Sequence, residues 1–165
     1  PYKRIDLAME ACAASGERLV IVGDGPDAAR LRAAAGPGVT FAGRVSDPEL
    51  RELYAGCRGV LFPGEEDFGI VPLEAMATGK PVVAFAGGGA LETVRDSEGD
   101  RTGIFFTEQT VSSMAGAIRR CRETEFDPNV LRARAEEFDT AVYKKRMAEY
   151  IAKRWSERFS RSPQS

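Results

Sequence analysis

Two carboxylates eight positions apart, Glu66 and Glu74, flank a Phe68-Gly69 turn in the run Glu66-Asp67-Phe68-Gly69-Ile70-Val71-Pro72-Leu73-Glu74. The first follows a short apolar run, Gly59-Val60-Leu61-Phe62, and the second falls in a helical pattern over 71–77 that stops at Thr78-Gly79. A strand, a glycine loop and a helix start gather backbone N–H groups where an anion can bind. Carboxylates beside them accept hydrogen bonds from hydroxyls. Anion plus polyol is the chemistry of a nucleotide-sugar. Gly64 and Gly69 admit a close approach of backbone to ligand. Ile70 and Val71 offer amides with no acceptor inside the helix. Pro72 costs nothing in the first turn. Glu74 stands among Leu73, Ala75 and Met76, a pattern that predicts a buried carboxylate in need of partners. The competing reading is plainer: a capping acid at Glu66 and a surface acid at Glu74.

A second glycine loop, Val22-Gly23-Asp24-Gly25-Pro26-Asp27-Ala28, fits the loose dinucleotide pattern G-x-G-x-x-A. Pro26 removes an amide where a pyrophosphate would sit. The following strand ends in Gly43-Arg44 and not in an acid that would hold a ribose, although Arg44 could serve a 2′-phosphate. A tight strand-to-helix turn accounts for this segment better.

The elements that must position these residues alternate along the chain. Helical spacing covers 5–14, with Ile5, Ala8, Met9, Cys12 and Ala13 on one side. The run Leu19-Val20-Ile21-Val22 reads as a buried strand, 28–35 as a short helix, 39–42 as a strand, and Asp47-Pro48-Glu49 as a helix start with Asp47 as cap. Strands over 59–62, 81–86 and 103–106 follow, with helices over 71–77, 90–94 and 112–122 between and after them. Short strands alternating with helices predict an α/β, Rossmann-like parallel sheet with helices on both faces. Ligands then sit at the carboxyl ends of the strands. The chain opens on Pro1-Tyr2-Lys3-Arg4 and runs straight into a helix, so the doubly wound domain reads as lacking its first strand. The rest is helical, from Asp127-Pro128 to near Phe138 and then over 140–159. Residues 161–165 read as a disordered tail.

At 165 residues the chain suits one domain with a substantial core, and its net charge of −2 gives no general pull toward nucleic acid. From Ala141 onward seven Lys/Arg face two Glu, a net +5 against −7 elsewhere. That segment reads as a solvated basic face, or as one that leans on an anionic membrane or another domain. Cys12, Cys57 and Cys121 have no metal-ligand spacing and suit packing in a reducing compartment. There is no signal peptide and no apolar run of spanning length, which predicts a cytoplasmic protein. With no histidine, the chain has no His base and no catalytic triad. No Asp-x-Asp pair suggests a metal, and no metal site is expected. A glycosidase acid/base pair fails because Glu74 lies a full turn into its helix.

In order along the chain stand Lys3-Arg4-Ile5-Asp6, Val22-Gly23-Asp24-Gly25-Pro26, Phe41-Ala42-Gly43-Arg44-Val45-Ser46-Asp47, the two-glutamate block running on through Ala75-Met76-Ala77 to Pro81-Val82-Val83-Ala84, and Gly87-Gly88-Gly89-Ala90-Leu91-Glu92-Thr93-Val94. This series resembles the C-terminal, donor-binding domain of family 4 (group 1) retaining glycosyltransferases of the GT-B fold, and mannosyltransferase-like members in particular. It covers about residues 1–125.

The resemblance implies that Lys3 pairs with the donor diphosphate and that Glu66 holds the donor sugar's hydroxyls, the two forming the catalytic pair. It implies that amides of Phe68, Gly69, Ile70 and Val71 meet sugar and phosphate, that Glu74 takes the ribose hydroxyls, and that Arg44 and Val45 lie against the base. Gly23 to Gly25 would line the same rim. The implied reaction needs no metal and no cofactor beyond a nucleotide-sugar donor, GDP-mannose being favoured over a UDP-sugar. The implied setting is cell-envelope polysaccharide or glycolipid synthesis at the inner face of the membrane. The family's Gly-Arg strand end before Lys3 and its N-terminal acceptor domain are absent from the sequence, so this chain alone is expected to have negligible transferase activity. The expected organisation is a nucleotide-sugar-binding domain over 1–138 and a helix over 139–160 that packs on the acceptor domain. The alternatives are a non-catalytic nucleotide-binding or interaction module and a sugar-nucleotide epimerase of the same fold.

Overall fold

The computed structural model describes residues 2–159; the expected tail over 161–165 and Pro1 lie outside the described residues. Eight helices and five strands lie among them, alternating as far as α6: α1 (Ile5–Ser15), β1 (Leu19–Val22), α2 (Ala28–Ala34), β2 (Val39–Gly43), α3 (Asp47–Gly56), β3 (Val60–Phe62), α4 (Ile70–Ala77), β4 (Val82–Phe85), α5 (Ala90–Thr93), β5 (Gly103–Phe106), α6 (Val111–Glu123), α7 (Pro128–Glu136) and α8 (Thr140–Phe159). All strand pairs are parallel, as the alternation predicts.

The parallel strands form two pieces, β1-β2 and β3-β4-β5. Val60 lies opposite Val82, and Val82 opposite Gly103. No ladder joins β1 to β3, yet both pack beneath α1, whose cluster takes Leu19 from β1 and Leu61 from β3. The doubly wound strand order places its first strand between these two.

Side chains alternate across the three-stranded piece, as strand geometry requires. Val83, Ile104 and Phe106 face α1 and α6, where Leu7, Ala11, Met114 and Ile118 close one core. Val82, Ala84 and Phe62 face the other way, onto Ala75 and Met76 of α4, Ala90 of α5 and Leu131 of α7. Both faces of this piece are therefore covered.

The two-stranded piece is more open. The all-apolar run in β1 predicts burial on both faces, but Val20 and Val22 are 48% and 41% exposed. The α4–α5–α7 layer packs on β3 and β4 and leaves that face of β1 to solvent. One cap also differs from expectation. The N-cap of α3 is Ser46, not Asp47, in a capping box with Glu49: the Ser46 amide donates to Glu49 Oε2 at 2.7 Å.

Candidate functional site

The site begins where α1 begins. Arg4, the N-cap of α1, has φ 49°, the one positive φ outside glycine among the described residues. Such a conformation costs about 1 kcal/mol or more and needs support. Arg4 donates to Asp6 at 3.4 Å and to Gln109 Oε1 at 3.1 Å, and Gln109 donates in turn to the Pro63 carbonyl at 3.0 Å. This lays Tyr2 and Lys3 across the end of β3. A Cβ on Gly64 would stand 2.5 Å from the Tyr2 carbonyl oxygen, so Gly64 admits the chain's own Tyr2-Lys3 segment and not a ligand.

Lys3 Nζ thereby reaches Glu66 Oε1 at 2.9 Å. The hydrogen bond and charge of Glu66 hold the lysine pKa above its ordinary value, against a smaller opposing effect of burial. A cavity of about 430 Å³ opens beside the pair, lined by Tyr2, Glu65, Glu66, Asp67 and Phe68.

Gly69 is the N-cap of α4, with φ 76° and no side chain to satisfy the amides behind it. Those of Ile70 and Val71 precede any intrahelical acceptor. A Cβ on Gly69 would stand 2.7 Å from Phe62 Cζ, so its close neighbour is also the protein's own. Phe68 and Ile70 are 44% and 64% exposed and flank this helix start. The Gly87-Gly88-Gly89 loop nests underneath. The Gly89 amide donates to the Glu66 carbonyl at 2.8 Å, and a Cβ on Gly89 would stand 2.5 Å from Phe68 Cα. The Phe68 ring meets Phe138 edge-on at 6.0 Å.

Glu74 departs from expectation, since it is exposed. The buried positions of α4 are Pro72, Ala75 and Met76, and at 3.6 residues per turn Glu74 points away from all three. It does have a partner: Tyr54 Oη of α3 donates to Glu74 Oε2 at 2.9 Å. Burial, then the hydrogen bond to Glu74, push the phenol pKa well above its ordinary range.

Arg44 and Val45 follow β2 on the same rim of strand ends, in the two-stranded piece, with Arg44 exposed and Val45 half-buried. No hydrogen bond or ion pair among the described residues ties Arg44 to Lys3, Glu66 or Glu74. The loops after β1 and β2 are joined to each other, the Gly23 amide donating to the Gly43 carbonyl at 2.7 Å. The fold thus gathers Lys3, Glu66, Phe68, Gly69, Ile70 and Val71 around one helix start, sets Glu74 one turn along it, and keeps Arg44 and Val45 further along the rim. A larger cavity, about 600 Å³, lies at the amino ends of β3 and β4 between Cys57, Arg58, Lys80 and Arg122, away from this group.

Four residues at the site carry no sequence signal of their own. Tyr54 is 20 positions from Glu74 and Gln109 is 105 from Arg4. Phe138 approaches Phe68 only through the packing of α7. Arg4 needs its backbone angle to be seen.

This parallel α/β domain, with its candidate site at the strand carboxyl ends, matches one half of solved GT-B glycosyltransferase structures. HepE of Anabaena, solved in complex with UDP, superposes with a TM-score of 0.77 at 28% identity over 93% of this chain and 46% of its own. The glycosyl transferases group 1 profile matches residues 1–124, and the chain belongs to that family. A GDP-mannose-dependent alpha-mannosyltransferase of Mycobacterium tuberculosis is 40% identical over 105 residues, 63% of this chain and 27% of that protein. A D-inositol 3-phosphate glycosyltransferase of a Nocardioides species is 41% identical over 91 residues, 54% of this chain. The chain spans 27% and 19% of the lengths of these two relatives.

Proposed function

We propose that this chain is the donor-binding half of a retaining, metal-independent glycosyltransferase, completed by a second domain that binds the acceptor. The observation that carries the reading is the Lys3–Glu66 pair at 2.9 Å, set beside the uncapped start of α4. One cation, one acid and two free amides are the groups that a sugar diphosphate needs. The diphosphate takes Lys3 and the amides of Ile70 and Val71. The freed Glu66 carboxylate takes hydroxyls of the sugar, Glu74 those of the ribose, and the loop at Arg44 and Val45 lies against the base. The glycosyl–oxygen bond breaks with oxocarbenium character and its electron pair leaves on the diphosphate, while the acceptor hydroxyl forms the new bond on the same face of the sugar and passes its proton to the departing phosphate oxygen. Lys3 and the amide dipoles stabilise that charge where it develops, so the step needs no divalent ion.

The favoured donor is GDP-mannose, in line with the mycobacterial relative's name. A UDP-sugar is the second reading, since HepE was solved with UDP. The exposed helix α8 packs on the acceptor domain, and its basic residues suit work at the inner face of a membrane on envelope polysaccharide or glycolipid. No described helix is long and apolar enough to cross a membrane.

The test is calorimetric titration of the chain with GDP, UDP and ADP without metal, beside the variant Glu74→Ala. Preference for one diphosphate, weakened by the variant, supports the reading and identifies the base. Flat titrations of a folded sample overturn the claim that these loops hold a nucleotide.

A further inference from the structure

We infer that Tyr54 is the positioning residue for Glu74, and through it the element that lets this site distinguish a ribose from a 2′,3′-dideoxyribose. The inference rests on the reading of Glu74 as the ribose-binding carboxylate.

Glu74 lies on the exposed face of α4, where a free glutamate samples several rotamers and loses that freedom on binding. The Tyr54 hydroxyl removes most of that freedom beforehand by holding Oε2 at 2.9 Å. Tyr54 can do this because its own ring is fixed. It is half-buried and packs against the cluster that also takes Val60, Val71 and Leu73. Burial keeps the phenol protonated at any physiological pH, so the group remains a donor. A phenol also orients the acid without neutralising it, as a lysine would.

The remaining acceptor capacity suits a vicinal diol. Tyr54 uses one lone pair of Oε2, which leaves Oε1 and the rest of Oε2 for two hydroxyl donors. The helix that carries Tyr54 starts at the Ser46 cap, directly after Arg44 and Val45. One rigid element therefore links the base-side loop to the ribose-side acid. A preorganised carboxylate gains its advantage only when ribose hydroxyls are there to donate to it.

The variant Tyr54→Phe keeps the packed ring and removes only the hydroxyl. Calorimetry with GDP and UDP, and with their 2′,3′-dideoxy forms, should show the ribonucleotide weakened about tenfold and the dideoxy form unchanged. The ratio between the two then contracts. In a Glu74→Ala background the same change should have no further effect, which a merely structural tyrosine would not satisfy. Equal weakening of ribo and dideoxy forms, or an additive effect in the double variant, overturns the role of Tyr54 while leaving Glu74 in place. An unchanged ribonucleotide affinity in Tyr54→Phe does the same. If Glu74→Ala itself leaves the ratio untouched, the assignment of Glu74 to the ribose fails first. If the unaltered chain binds neither nucleotide, the donor-site reading fails as a whole.

Discussion

Lys3 Nζ and Glu66 Oε1 stand 2.9 Å apart although 63 positions separate them in the chain. The side chains are 52% and 21% exposed. An ion pair that open to solvent contributes at most about 1 kcal/mol to stability. Its geometry is expensive by comparison. Arg4 must adopt a left-handed backbone, and Gly64 must give up a side chain so that Tyr2 can cross it. The fold thus holds one cation beside one acid with a strained residue next to them, the arrangement on which the proposed diphosphate site rests.

Replacing Lys3 by Met should therefore separate binding from stability. The unfolding free energy from urea titration is expected to change by less than about 1 kcal/mol. Affinity for a nucleoside diphosphate should fall about tenfold or more, since a charge-assisted contact is lost. Affinity for the nucleoside alone should not change. Titrations with GDP and guanosine on the same samples decide it, and an equal loss for both ligands would remove Lys3 from the diphosphate.

The strand and helix order was readable because apolar runs of four or five residues alternate with helical spacing. The helix expected over 71–77, which begins one residue earlier at Ile70, and the helix over 140–159 were equally plain. Side-chain environment was less so. Leu73, Ala75 and Met76 made Glu74 look buried by adjacency, but adjacency along a helix is not a shared face: Met76 is fully buried while Glu74 is exposed. Gly64 and Gly69 looked like ligand-facing glycines because the clash each avoids comes from a distant part of the protein, the Tyr2 carbonyl and the Phe62 ring. The exposed face of β1 was hidden for a related reason. An apolar run records what a strand can bury and says nothing of which layer reaches it.

Cys12 and Cys121 set an alkaline limit on stability. Burial pushes both thiols up to about 11, from an ordinary 9.0. In the interval between those values the unfolded chain has released protons that the native state retains, so stability falls as pH rises through it. Lys3, with its raised pKa, also loses its contribution as pH climbs past the lysine range, so the cysteines must be isolated by substitution. Cys12→Ala with Cys121→Ala should flatten the urea midpoint between about pH 8 and pH 10.5, whatever the two changes cost in packing at neutral pH. An unaltered slope would show that these thiols do not carry the effect.

Arg134 should be the costliest single charge to remove. It is 10% exposed, and it donates to the Thr93 carbonyl at 2.9 Å and to the Glu92 carbonyl, closing the end of α5. Its guanidinium also lies 4.7 Å from the centre of the Phe138 ring, which in turn meets Phe68 at the site. Arg134→Ala leaves those carbonyls without their donor and is expected to cost about 2–3 kcal/mol by urea unfolding. Arg134→Lys should rescue little, because one ammonium cannot reproduce a planar fork that spans both acceptors. Full rescue by lysine would mean that charge alone, and not the fork, holds α5 to α7.

Helix α8 should be dispensable to this chain's stability and responsible for its association. Its twenty residues bury no side chain, while Tyr143, Tyr150, Ile151, Trp155 and Phe159 are all more than half exposed. An isolated helix of that length is marginal in water, so its persistence depends on a surface to lie on. Removing residues 140–165 is expected to leave the unfolding free energy within about 0.5 kcal/mol of the full chain, because no core contact is lost. The full chain should self-associate as its concentration rises, and the shortened one should stay monomeric in sedimentation. Ile151→Glu with Trp155→Glu should reproduce the shortened chain's behaviour without removing the helix. A large drop in the midpoint on truncation would instead make α8 part of this domain's own fold. The proposal that it docks on an acceptor domain would then lose its basis.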